Sequence, residues 1–265
     1  MKKISILGCG WLGLPLAKVL LANNFEVNGS TTSENKLPIL KNFGISPFLI
    51  SLNEAEIIGN FKAFISNSEI LIIDVPPKLR GIEKENFVAK IQNTISFIEN
   101  STIKNVLFVS STSVYADDDS IVTENTICIP ETEGGKQLLL VENMLKSNPK
   151  FNTTVLRFGG LIGENRHPIR FLAGRTNIEN PESPVNLIHQ DDCIAIILKI
   201  IKNNIWDETF NAVAPFHEKR KDYYTKKAIE FGLESPQFNY EKKSIGKTVD
   251  SKRLIKLLDF EFMEI

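Results

Sequence analysis

The sequence predicts an α/β fold, a doubly wound parallel sheet with a small C-terminal part attached. Three observations carry that prediction. Short β-branched runs alternate along the chain with longer stretches of helical period. Two of the runs, residues 69–77 and 105–111, are nearly all apolar over strand length, as parallel strands covered on both faces are. Three glycines, Gly8, Gly10 and Gly13, stand between the first run and the first helical stretch. Glycine inside regular structure costs about 0.5–1 kcal/mol relative to alanine, so their place marks a point of close approach.

In chain order, residues 2–7 read as a strand and residues 11–24 as a helix, with Pro15 tolerable near its first turn. A second strand follows over 25–30. The apolar runs at 69–77 and 105–111 are the next strands, with helical periods over 81–100 between them and over 134–147 after them. Residues 151–160 supply a further strand. Beyond Gly159 the chain is loop-rich as far as Asn186. A strand and helix then fall within 185–203, a strand at 208–213, and helical periods near 219–231 and 251–258. The organisation expected is a dinucleotide-binding domain over 1–158 and a substrate-binding part over 159–265, partly interleaved with it.

Composition narrows the function. The 31 basic and 32 acidic side chains leave a net charge of −1, which gives no footing to a nucleic-acid partner. No window reaches the ~18 apolar residues of a membrane span. The basic start loses its apolar run at Gly8 and no small-residue cleavage site follows, so it does not read as a signal peptide. Three cysteines, Cys9, Cys128 and Cys193, are odd in number and far apart, against both a disulfide framework and a metal site. A cytoplasmic protein acting on a small molecule is the expectation.

A Gly8-x-Gly10-x-x-Gly13 turn flanked by strand and helix is the Rossmann arrangement. Its first glycine makes the turn, the second lets backbone reach a pyrophosphate, and the third lets helix pack on strand. The unpaired N–H groups of the helix start then face the phosphates. Cys9 and Trp11 read mainly as spacers or packing groups. The cofactor-binding set expected is Gly8, Gly10, Trp11, Leu12, Gly13, Ser30, Thr31, Lys36, Val75 and Pro76. The second strand ends without the acid that binds the ribose hydroxyls of NAD. Ser30, Thr31 and Thr32 offer hydroxyls and Lys36 a cation for a 2′-phosphate, so NADP is favoured over NAD, with Glu34 as the dissenting charge.

The stretches "VLFVSSTSVYA", "VLRFGGLIG" and "VNLIHQDDCIAIIL" resemble three landmarks of the extended or atypical short-chain dehydrogenase/reductases, the NAD-dependent epimerase/dehydratase family. The resemblance runs from Lys3 to about Val213, and "KTVDSKRLIKLLDFEF" is similar to that family's C-terminal segment. It implies a tyrosine with a lysine four residues later as the proton-transfer pair, and a serine binding the substrate oxygen. Ser111 matches the serine. The expected tyrosine falls within "IPETEGGKQLLLVE", which has none. If Glu142 and Gly135 set the register, Gly134 takes the tyrosine position and Leu138 the lysine position; if Lys136 sets it, Thr132 replaces the tyrosine.

The proton-transfer role is then open to Tyr115, to His167 with its ordinary pKa near 6.5, or to no residue at all. Arg166 and Arg170 suit an anionic substrate such as a nucleotide-activated sugar, and the resemblance implies that His189 helps fix the lid region. Arg157 reads as a buried, paired support. The preferred function is an NADP-linked oxidoreductase or epimerase; the alternative is a catalytically silent dinucleotide-binding regulator.

Overall fold

The computed structural model describes residues 2–77 and 85–265. Seven strands make one sheet: β1 (Lys3–Leu7), β2 (Glu26–Thr31), β3 (Ser46–Leu49), β4 (Ile70–Ile73), β5 (Asn105–Ser111), β6 (Asn152–Phe158) and β7 (Thr209–Ala212). Their spatial order is β7-β6-β5-β4-β1-β2-β3, and every neighbouring pair is parallel. The order reverses at β1, which pairs β2 on one side (Ile4 with Val27) and β4 on the other (Ile4 with Ile70). Ligands of such sheets bind at that crevice, beyond the carboxyl ends of the strands.

Alternation along the strands explains the apolar runs. Ile70 and Ile72 face one layer, built from α1 (Gly13–Ala22), α5 (Gln190–Asn203) and α7 (Lys252–Leu258), and Leu71 and Ile73 face the other, built from α3 (Phe87–Glu99) and α4 (Glu133–Lys146). Both faces are buried, so neither alternate set can be polar. Truncating Ile72, fully buried, to alanine would cost about 2–5 kcal/mol. The two remaining longer helices are α2 (Leu37–Asn42) and α6 (Arg220–Glu230).

Several boundaries differ from expectation. The first helix begins at Gly13 rather than residue 11, because residues 8–12 form the turn. Residues 81–84 of the helix expected from residue 81 lie outside the described residues, and α3 begins at Phe87, where Asn86 caps it by accepting the Ala89 N–H. The edge strand β3 escaped the sequence reading because its residues are exposed or half-buried and include Pro47, which an edge strand tolerates. The loop-rich segment holds a short strand, Gly160–Ile162, paired in parallel with Leu187–His189. Residues beyond 158 also supply β7 and α5, and a third apolar cluster gathers Ile162, Ile169, Val185, Leu187, Tyr223, Tyr224 and Ala228.

Candidate functional site

The turn after β1 is held by the end of β2. Gly8 donates its N–H to Ser30 Oγ (2.9 Å), Cys9 to the Ser30 carbonyl (2.8 Å), and Gly10 to the Gly8 carbonyl (2.8 Å). Gly8 has φ +107°, a conformation side-chain-bearing residues rarely adopt. A Cβ at Gly13 would stand 2.2 Å from the Gly8 carbonyl oxygen, so helix and turn meet there without room for a methyl. At Gly10 the geometry is the reverse: a Cβ would meet no atom within 4 Å. The first turn of α1 has no acidic residue of its own; its Gly13 N–H faces the Asp74 carboxylate, Leu14 and Leu16 donate to the Gly10 and Leu12 carbonyls (3.2 and 3.1 Å), and Pro15 has no N–H, so what the helix start offers an anion is its partial positive charge.

Beside this turn lies a pocket of about 220 Å³. Gly8, Gly10, Ser30, Thr31, Lys36, Val75 and Pro76 line it, together with Thr32, Asp74 and Lys90, which were not in the expected set. Ser30 is buried and its oxygen already accepts the Gly8 N–H, so it serves the turn. Thr31 Oγ1 accepts the Ser33 N–H at 3.2 Å, whereas Thr32 and Lys36 stand exposed at the mouth. Leu12 is a core residue. Trp11 links the turn to the C-terminal part: Arg166 stacks on its ring (4.8 Å to the centroid) and Gln190 Nε2 donates to its carbonyl (2.5 Å). A wider open groove of about 900 Å³ lies on α6 between Lys221 and Tyr240 and contains none of the expected site residues.

The proposed proton-transfer residues are not brought to this pocket. Tyr115 is buried, and its hydroxyl is shared among Arg157 Nη1 (2.6 Å), Asn211 Oδ1 (2.8 Å) and the Thr123 carbonyl (3.0 Å). Burial pushes its pKa up to about 12, against the pull of Arg157. Arg157 in turn holds Glu142 through Nε (3.1 Å to both oxygens) and Nη2 (2.5 Å), and Ser110 Oγ donates to the same carboxylate (2.5 Å). The paired support expected of Arg157 is what the structure contains.

His167 is buried in the third cluster, with Nε2 3.0 Å from the Tyr223 hydroxyl and Nδ1 accepting the Ile169 N–H at 3.2 Å. Burial, then Lys227 and Arg170, lower its pKa to about 4. Such an imidazole stays neutral where a general acid has to carry a proton. Arg170 lies exposed over the ring of Phe231, itself exposed (5.3 Å to the centroid). His189 caps α5 by accepting the Asp191 N–H at 3.3 Å. Ser111 Oγ accepts the Ser113 N–H at 3.2 Å, at the end of β5. The start of α4 packs against the residues after it, since a Cβ at Gly135 would stand 2.2 Å from the Ser113 carbonyl, while a Cβ at Gly134 would meet nothing within 4 Å. The position where the first register looks for a tyrosine is open space.

Comparison with known proteins adds the family. Protein YeeZ of Escherichia coli K12 is 34% identical over 265 residues, covering 99% of this chain and 96% of YeeZ. A candidate NAD-dependent epimerase/dehydratase from Methylobacillus flagellatus superposes with a TM-score of 0.79 at 25% identity, over 99% of this chain and 93% of that one. The UDP-glucuronic acid 4-epimerase of Bacillus cereus, solved with UDP-glucuronic acid and NAD, gives a TM-score of 0.80 at 17% identity over 99% and 95% of the two chains, a likeness of fold. No protein-family model matches the chain.

Proposed function

The chain belongs to the atypical short-chain dehydrogenase/reductases of the NAD-dependent epimerase/dehydratase kind, in the family of protein YeeZ, and from that premise we propose that it binds a nicotinamide dinucleotide at the glycine turn, NADP(H) ahead of NAD(H). The pyrophosphate fits the open face of Gly10, beside the positive end of α1. Thr32 and Lys36 hold a 2′-phosphate, in place of the acid that would hold ribose hydroxyls. The chemistry such a cofactor would supply, given a substrate and a proton donor beside it, is hydride exchange at its nicotinamide ring.

This chain's own residues do not supply the family's proton chemistry at the expected positions, and we read it as a dinucleotide-responsive binding protein. The single observation behind that reading is the Tyr115 hydroxyl, buried and engaged by Arg157, Asn211 and Thr123. A second reading, an oxidoreductase or epimerase on a small anionic or sugar-nucleotide substrate held by the part beyond residue 158, draws on Ser111 at the end of β5 and the space at Gly134.

One pair of measurements tests both. Titration calorimetry should give NADPH binding, and NADPH or NADP mixed with UDP-sugars and simple carbonyl compounds should show no change in nicotinamide absorbance and no epimer. Absence of dinucleotide binding would overturn the proposal as a whole. Turnover of any such substrate would replace the first reading by the second.

A further inference from the structure

An acid sits where the pyrophosphate is expected. Asp74 follows β4 directly, and its Oδ2 lies 3.2 Å from the point a Gly13 Cβ would occupy, with the Gly13 N–H turned to it. It lines the same pocket as Gly8 and Gly10. An ionised carboxylate there would face the phosphates across the helix start, and two like charges that close disfavour each other's ionised forms.

The compensating cation comes from the C-terminal part. Gly163 and Arg166 close a tight turn by exchanging backbone hydrogen bonds (2.8 and 3.0 Å), and that turn lies on Trp11, since a Cβ at Gly163 would be 3.0 Å from the indole. The Arg166 guanidinium is thereby stacked over the residue that follows Gly10, and its charge reaches Asp74. Phosphate recognition favours such a forked, pre-positioned donor.

We propose that Arg166 is a ligand of the dinucleotide pyrophosphate rather than of substrate, and that Asp74 takes up a proton from solvent as the phosphates settle on the glycine turn. This rests on the cofactor reading above. Of the titratable groups near Asp74, burial pushes the Cys9 thiol, on the turn, up to about 12 and the Cys193 thiol, on α5, well above its ordinary value, while Lys36 and Lys90 line the same pocket, Lys90 in an ion pair with Glu85. Burial also pushes the Asp74 carboxyl up to about 7, with the Gly13 N–H and Arg166 pulling the other way. Phosphates that draw on both of those groups raise it further, so the bound state keeps the proton to higher pH. Affinity therefore falls as pH rises through the free-state value.

NADH is the probe, because its pyrophosphate does not titrate near neutrality whereas a 2′-phosphomonoester does, near pH ~6. Its affinity should weaken about tenfold between pH ~6 and ~8, the consequence of one group titrating across that range. Calorimetry in two buffers of different ionisation enthalpy should show proton uptake by the unmodified protein near pH ~7. Asp74→Asn should flatten the pH profile at the high-affinity level, with folding checked by circular dichroism. Arg166→Gln should weaken NADH binding about 10- to 100-fold, the loss of one charge-assisted bond. Binding that is flat with pH and moves no proton overturns the role of Asp74, and an unchanged dissociation constant in Arg166→Gln returns that arginine to the substrate. If NADH and NADPH both fail to bind at any pH, it is the cofactor reading that falls, and this inference with it.

Discussion

The Tyr115 hydroxyl lies 2.6 Å from Arg157 Nη1, and the guanidinium that holds it is itself anchored on Glu142. The hydroxyl accepts from Arg157 and has one proton to give to Asn211 or to the Thr123 carbonyl. It thus ties β6 to β7 and to the segment after β5. Tyr115→Phe leaves a buried guanidinium N–H without its acceptor, which should cost about 1–3 kcal/mol in denaturant unfolding. NADPH affinity should stay within about twofold, since removing an interaction outside the site leaves binding energy in place. Unchanged stability together with lost NADPH affinity would assign the tyrosine to the site instead.

His167 should make the protein sensitive to acid. Its folded-state pKa, about 4, lies below the ordinary value of 6.5, so the folded state prefers the neutral ring. The stability tied to that preference is fully present above pH ~6.5 and is lost as pH falls towards ~4, on the order of 3 kcal/mol at most. Carboxylates titrate in the same window, so the comparison is between unfolding free energies of the unmodified protein and His167→Gln across it. The variant should lose less stability on acidification. Parallel curves would contradict the assignment.

The sheet was legible because strands buried on both faces must be apolar at nearly every position, as residues 70–73 and 105–109 are. The glycine turn was legible because its three positions have different steric reasons, and the structure returns a positive φ at Gly8, open space at Gly10 and a backbone contact at Gly13. The partners of Tyr115 and His167 were not. Arg157 and Asn211 come from 42 and 96 residues away from Tyr115, and Tyr223 from 56 away from His167, distances over which a sequence carries no periodic signal. Asp74 did leave a trace, one acid ending an apolar strand between Ile73 and Val75. An ionisable group in such a place asks for a partner or a function.

Two glycines of the turn should fail in opposite ways. A Cβ at Gly10 meets no atom within 4 Å and its φ is not positive, so Gly10→Val should leave the unfolding midpoint nearly unchanged while filling the space for the pyrophosphate. NADPH binding should vanish from calorimetry. Gly13→Ala forces a methyl to 2.2 Å from a backbone oxygen, where only the chain itself can move, and should lower stability by about 1–3 kcal/mol. A folded Gly10→Val protein with undiminished affinity would remove the phosphates from this turn.

The proposed preference for NADP over NAD rests on Lys36. It ends the short turn Glu34–Lys36 after β2, is exposed at the pocket mouth, and forms no ion pair with a described residue. Ser30, expected to share the 2′-phosphate, accepts the Gly8 N–H, so Ser30→Ala should loosen the turn and weaken both cofactors alike. Lys36→Glu acts on one of them. It removes a charge-assisted bond worth about 1.5–3 kcal/mol and adds repulsion, so the ratio of NADPH to NADH affinity should drop by about tenfold or more with NADH itself little changed. Both titrations belong at one low ionic strength, because salt screens an exposed cation. Equal affinities of the unmodified protein for the two cofactors, or a ratio that Lys36→Glu leaves alone, would take the 2′-phosphate away from Lys36.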